Sequence, residues 1–184
     1  MTHPATARSH FTSSADVAAI RARARKKISD GAVTEAYGAD REAVLRMLDE
    51  ALATEIVCML RYRRHHFMAK GINAEPIAAE FLAHAGEELG HADSIAARIV
   101  QLGGAPDFSP DLLSERSHAE YVAATTLDEM VRENLVAERI AIESYNDMIR
   151  YLGDKDITTR RLLEQILAVE EQHADELADL LARN

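Results

Sequence analysis

The pattern Glu-x-x-His-Ala-Asp occurs twice in this chain, beginning at Glu88 and again at Glu170, 82 residues later. On an α-helix a glutamate and a histidine three residues apart share one face, so the repeat asks for two helices that present the same acidic-and-imidazole face. The composition allows long helices: 184 residues contain only four prolines and eight glycines, with abundant Ala, Leu, Glu and Arg.

Helix signals divide the chain from Asp40 onward into four long segments. Asp40 reads as an N-cap, followed by apolar residues at three- and four-residue spacing (Val44, Leu45, Leu48, Leu52, Ile56, Met59, Leu60) up to Gly71. A second helix starts near Glu75-Pro76 and runs to Leu102, ahead of Gly103-Gly104. The segment that follows holds two of the four prolines and keeps no period. A third helix spans Leu127–Leu152 and stops at Gly153, and a fourth begins at about Asp156. Short links predict two antiparallel hairpins, the first helix with the second and the third with the fourth. The connection of about twenty residues between them can cross a bundle about 40 Å long at up to ~3.3 Å each. The predicted fold class is all-α, a four-helix bundle over residues 40–184.

Helix heights put the repeat into register. Glu55 and Glu88 lie about 24 and 20 Å from the first hairpin turn, and Glu138 and Glu170 about 22 and 21 Å from the second, at 1.5 Å per residue. Each hairpin thus sets one glutamate opposite one Glu-x-x-His at mid-height, as two related half-sites. Four carboxylates converging in a bundle interior are very costly unless neutralised. Two divalent cations would neutralise them. Mixed oxygen and nitrogen ligation suits iron or manganese, and a single cysteine argues against a structural zinc site.

With these residues in place, the sequence resembles the ferritin superfamily, and within it bacterioferritins and Dps-like proteins with a bacterioferritin-type site. The likeness covers about Asp40–Asn184. It implies a ferritin-like bundle in which Glu55, Glu88, His91, Glu138, Glu170 and His173 are ferroxidase ligands for two Fe per subunit. Glu88 and Glu170 fall on the bridging positions, Glu55 and Glu138 on the terminal ones. It further implies oxidation of Fe(II) by O2 or H2O2 and storage of ferric mineral in a hollow homo-oligomer. The chain stops eleven residues after His173, which predicts no fifth helix and, with it, a shell of twelve subunits. Two alternatives stay open: a di-iron or di-manganese redox enzyme acting on peroxide or an organic substrate, and a Dps-type DNA-protecting shell.

The charge distribution bears on the second alternative. Residues 1–39 carry six basic against three acidic side chains, a net of +3, whereas the chain as a whole carries −10. The acidic body disfavours nucleic acid and suits metal cations. The basic N-terminal arm, 1–39, with a short helix over 17–28 capped by Ser13, Ser14 or Asp16, keeps DNA contact open. The first sixteen residues read as a mobile arm. No apolar run reaches 18 residues and no signal peptide opens the chain, so the expectation is a soluble cytoplasmic protein without membrane contact.

Residues around the predicted site divide by role. Tyr62 and Tyr145 each follow a terminal glutamate by seven residues and are candidates for electron donation or for a hydrogen bond to a ligand carboxylate. Asn134 is read as orienting a ligand histidine or as exposed. Cys58 is read as a small core residue, and His84, one turn before Glu88, as a candidate iron-access or inner-surface site. His65, His66 and His118 are read as solvated. Met47, Met59 and Met68 are read as core or gap-filling residues. In bacterioferritins the residue after the second helix's ligand glutamate is the haem-binding methionine. Here it is Leu89, which has no lone pair, so no haem is expected. Protein produced with ample haem should show no strong Soret band in its absorption spectrum, and a stoichiometric one would mean that another side chain ligates haem.

Overall fold

A computed structural model describes residues 14–182 apart from residue 73. They divide into two compact units, one ending at Tyr37 and one beginning at Gly38. In the first, helix α1 spans Ser14–Ala24 and a single 3-10 turn spans Ile28–Asp30. The helix expected over 17–28 therefore begins earlier and stops short. Extending it would align like charges one turn apart, Arg21 with Arg25 and Arg23 with Lys27. Instead the chain turns, Lys27 takes a left-handed conformation (φ 47°), and Lys26 pairs with Glu35 at 3.3 Å. The proposed Ser13 cap and the arm over residues 1–13 lie outside the described residues.

The second unit holds α2 (Arg41–Met68), α3 (Ala74–Gln101), α4 (Leu113–Arg116), α5 (Leu127–Leu152) and α6 (Ile157–Ala182). No strand occurs among the described residues. Asp40 caps α2, its Oδ1 accepting from the backbone N–H of Glu42 and Ala43 at 3.1 and 3.2 Å. A capping box that the sequence reading did not pick out opens α5: Thr126 accepts from Glu129 N at 3.2 Å, and Glu129 accepts from Thr126 N at 3.0 Å. Packing is densest within the pairs α2·α3 and α5·α6, and one apolar cluster joins all four helices through Tyr62, Phe81, Met130, Val131 and Leu177.

The crossover runs the length of α2. Gly104 lies against Leu45, so close that a Cβ there would meet Leu45 Cδ2 at 2.6 Å. Farther on, Asp107 N donates to Asp49 Oδ1 at 3.2 Å and His118 N to Thr54 Oγ1 at 2.9 Å. Arg61 then donates to the Glu120 carbonyl at 2.9 Å and Arg64 to that of Ala123. From Leu45 to Arg64 the path covers about 28 Å of helix. It is not wholly irregular: the four-residue helix α4 interrupts it, entered through Leu112 in a left-handed conformation (φ 61°). With α1, it shows that the chain's helices are not limited to the four of the bundle.

At the end opposite the α2–α3 turn, Arg98 of α3 binds Asp156 through Nη2 at 2.9 Å and Thr159 through Nε at 2.8 Å. Asp156 also accepts from Thr159 N at 2.9 Å, so one buried carboxylate both caps α6 and ties it to α3. Asp156→Ala would strand a buried guanidinium, and it should lower stability by about 3 kcal/mol, read as an earlier denaturant midpoint with native helix content retained.

Candidate metal centre

The four bundle helices each deliver a glutamate to one level, Glu55 from α2, Glu88 from α3, Glu138 from α5 and Glu170 from α6, each 1% exposed. His91 and His173 come from the turns after Glu88 and Glu170. All six predicted residues meet. Their ligating atoms form two overlapping sets: Glu55, Glu88, His91 and Glu170, and Glu88, Glu138, Glu170 and His173, with the atoms of each set within 4.8 Å of one another. Glu88 and Glu170 belong to both.

The imidazoles point inward. His91 Nδ1 lies 3.2 Å from Glu55, 2.9 Å from Glu170 and 4.0 Å from Glu88. His173 Nδ1 lies 3.6 Å from Glu88, 3.6 Å from Glu170 and 4.0 Å from Glu138. The outer nitrogen of His173 donates to Glu87 Oε2 at 2.5 Å, which fixes the tautomer and leaves the Nδ1 lone pair facing the carboxylates. Glu87 was missed by sequence reasoning. The repeat hides it, because the aligned position in the second copy is Val169.

The tyrosines cross between hairpins. Tyr62 of α2 donates to Glu138 of α5, and Tyr145 of α5 donates to Glu55 of α2. The hydrogen-bonding role foreseen for them is present, but each serves the opposite hairpin and not the glutamate seven residues before it. Burial, reinforced by Glu138 and Glu55 respectively, pushes both phenols well above their ordinary range, so they remain protonated donors.

Electrostatics in this cluster are unbalanced. Burial, then the neighbouring carboxylates, raises Glu88 and Glu138 well above the ordinary carboxyl range and raises Glu170 as well. For Glu55 burial also acts upward, but hydrogen bonding with His91, Glu88 and Tyr145 outweighs it and lowers the group. Burial disfavours charge on His91, yet Glu170 and Glu55 push it up to about 10. An imidazolium there supplies positive charge that four carboxylates demand. Glu88 Oε1, Glu138 Oε2, Glu170 Oε2 and His173 Nδ1 are nevertheless buried without hydrogen-bond partners. Buried orphan acceptors are expensive, and these converge on common points, so the donor set fits a pair of divalent cations.

Several nearby readings need correction. Asn134 neither orients a ligand histidine nor is exposed. It is fully buried, and its Oδ1 accepts from Arg61 Nε at 2.9 Å and faces His65 Nδ1 at 3.2 Å. His65 is accordingly buried and not solvated, because Arg61 brings a guanidinium into the core that must be hydrogen-bonded. His66 is half-buried against the Ala78 carbonyl, while His118 is exposed. Met68 is exposed and so is Leu89. Cys58 is buried beside Ala119 and Ala137, and burial raises its thiol far above the ordinary range, which makes it an inert core residue. His84 lies beside the centre, its ring stacked on His173 at 3.9 Å.

A helical bundle holding a carboxylate-and-imidazole cluster at mid-height defines a ferritin-like protein. The ferritin-like domain family matches residues 45–183, and the chain belongs to it. It is 33% identical over 135 residues to the bacterioferritin of Mycobacterium avium, covering 73% of this chain and 80% of that protein. Among solved structures it is similar to a dodecameric thioferritin, the bacterioferritin-related protein from Bacteroides fragilis. That match has a TM-score of 0.77 and 30% identity, over 79% of this chain and 88% of that one. The Mycobacterium tuberculosis bacterioferritin BfrA gives a TM-score of 0.67 at 30% identity, over 76% and 84% of the two chains. No helix among the described residues is long and apolar enough to cross a membrane.

The raised carboxyls predict how metal-free protein responds to pH. Glu88 and Glu138 keep protons in the folded state at pH values where the unfolded chain, near 4.5, has released them. Folded protein then binds more protons, so stability is full below 4.5 and declines as pH rises through the folded-state values, by about 1.4 kcal/mol per pH unit for each retained proton. Denaturant unfolding of chelator-treated protein should show this decline. Glu88→Gln should flatten it, and added divalent metal should abolish it.

Proposed function

We propose that this protein is a ferroxidase and iron store that oxidises Fe(II) at a dinuclear site within each subunit. The observation that carries the reading is the pair of overlapping four-donor sets sharing Glu88 and Glu170. Glu55 and His91 hold one Fe(II), Glu138 and His173 the other, and the shared carboxylates bridge them. As substrate, each Fe(II) gives up one electron, so a pair reduces one H2O2 with two protons to two waters, or one O2 with two protons to H2O2. Binding requires His91 and the raised carboxyls to release their protons, so Fe(II) uptake is accompanied by proton release. Tyr62 and Tyr145 hold the terminal carboxylates in place. Their hydroxyls, hydrogen-bonded to acceptors, can also pass a proton to Glu138 or Glu55 as the ring yields an electron to the O2 or H2O2 being reduced. Manganese fits the same donors, and a di-manganese or di-iron redox enzyme would use the same geometry without storage.

Closed assembly into twelve subunits completes the reading. The Bacteroides fragilis relative is described as dodecameric, and α2 and α3 expose Leu60, Phe67, Leu82, Leu89 and Val100, apolar surface that a closed oligomer buries. Twelve copies of 20.3 kDa make about 244 kDa. A second reading, contact with DNA, is favoured by one observation: Arg21, Arg23, Arg25, Lys26 and Lys27 are all exposed. It would appear as salt-sensitive DNA binding that is lost on deleting residues 1–37.

Anaerobic Fe(II) titration of full-length protein, with native mass measured on the same sample, tests the main reading. Two Fe(II) per subunit should bind and oxidise on addition of O2 or H2O2, and Glu88→Ala or Glu170→Ala should lose both ions while keeping helix content. A fully loaded, active Glu88→Ala variant, or a mass near 40 kDa, would reject the site or the cage respectively.

A further inference from the structure

We propose a third divalent-cation site on the α3/α6 side of the bundle, formed by Glu80, His84 and Glu176. It serves as a loading position next to the dinuclear centre. His84 is buried, with 2% of its side chain exposed, whereas Glu80 and Glu176 are 40% and 37% exposed. The three donor atoms lie within 4.8 Å of one another, so the cluster reaches from solvent to a buried imidazole.

The spacing is that of ligands around one ion. His84 Nε2 lies 3.0 Å from Glu176 Oε2 and 3.5 Å from Glu80 Oε1. Ligands about 2.1 Å from a first-row cation stand about 3.0 Å apart along an octahedral edge and about 3.4 Å apart along a tetrahedral one. Gln172 donates to Glu176 Oε1 at 2.8 Å, and this turns Oε2 toward His84 Nε2, with which it is hydrogen-bonded at 3.0 Å.

Hydrogen bonding sets the tautomer. His84 Nδ1 lies 3.2 Å from the Tyr62 hydroxyl, and that hydroxyl's one proton goes to Glu138. With Glu138 ionised as a ligand, Nδ1 must carry the proton that Tyr62 oxygen accepts. In the neutral ring Nε2 then holds the lone pair and faces two carboxylates, and a cation between them takes the place of the proton that otherwise bonds Nε2 to Glu176. This step rests on the dinuclear reading of Glu138.

The pseudo-two-fold repeat shows that the scaffold does not need these residues. Glu80 and His84 stand eight and four residues before Glu88, and the corresponding places before Glu170 are Leu162 and Ile166. Glu176 stands six after Glu170, and its counterpart is Ser94. Only one half of the bundle therefore carries the extra donors. There they adjoin His173, on whose ring His84 stacks, and Glu87, which with His84 and His173 makes a further donor group. Donors thus continue from the surface to the centre on this side.

The test is Co(II) titration of chelator-treated full-length protein, with ions counted per subunit and located by anomalous scattering from Co(II)-soaked crystals. Three ions per subunit are expected, with the third between Glu80, His84 and Glu176. Glu80→Gln/Glu176→Gln alters only half-exposed side chains and should bind two, with affinity for the third at least tenfold weaker. Glu55→Ala, changed in the far half of the centre, should keep the third. Two ions in the wild type and no peak at the α3/α6 position would overturn this site and leave the dinuclear centre standing. A third ion unaffected by the double variant would also overturn it. A peak at the α3/α6 position without a dinuclear pair would overturn the dinuclear reading alone, and no bound Co(II) would overturn both.

Discussion

Four buried carboxylates at one level of a helical bundle set the terms for everything packed around them. Left alone they would repel one another and lack solvation, and several of their oxygens have no hydrogen-bond donor to turn to. The surrounding chain answers locally where it can, with two tyrosine hydroxyls, a raised imidazole at His91, and protons held on the carboxyls themselves. These measures leave the cluster incomplete, and the pair of divalent cations proposed above would complete it. Packing elsewhere is ordinary by comparison: an apolar cluster, capped helices and one buried ion pair hold the four helices at heights that keep the donors level.

Much of this was legible in the sequence because helices convert spacing into geometry. The three-residue interval in Glu-x-x-His, the turn glycines and the matched heights of Glu55, Glu88, Glu138 and Glu170 were enough to assemble the donor set. Helix limits followed from punctuation, with α5 running Leu127–Leu152 as expected. The misreadings share a cause, which is contact across helices. For Asn134 and His65 nothing local announces that Arg61 is buried and that Asn134 Oδ1 meets both Arg61 and His65. Tyr62 and Tyr145 make hydrogen bonds of the kind expected, but their partners on the opposite hairpin depend on how the hairpins dock. The single-turn helix in the crossover has no period long enough to read.

The departure of α1 from its expected span illustrates the opposite limit. There the apolar pattern is weak and like charges dominate, so local repulsion and not burial decides where the helix ends. In the bundle, burial dominates and even unfavourable residues such as Arg61 and Arg98 are kept helical and buried.

The crossed tyrosine–glutamate bonds make each hairpin depend on the other. Each hairpin supplies the tyrosine that bonds the other hairpin's terminal glutamate. This is the reciprocity of an isologous interface, in which residue i meets j and j meets i, written within one chain. The two halves differ most in donor content on the His84 side of the bundle.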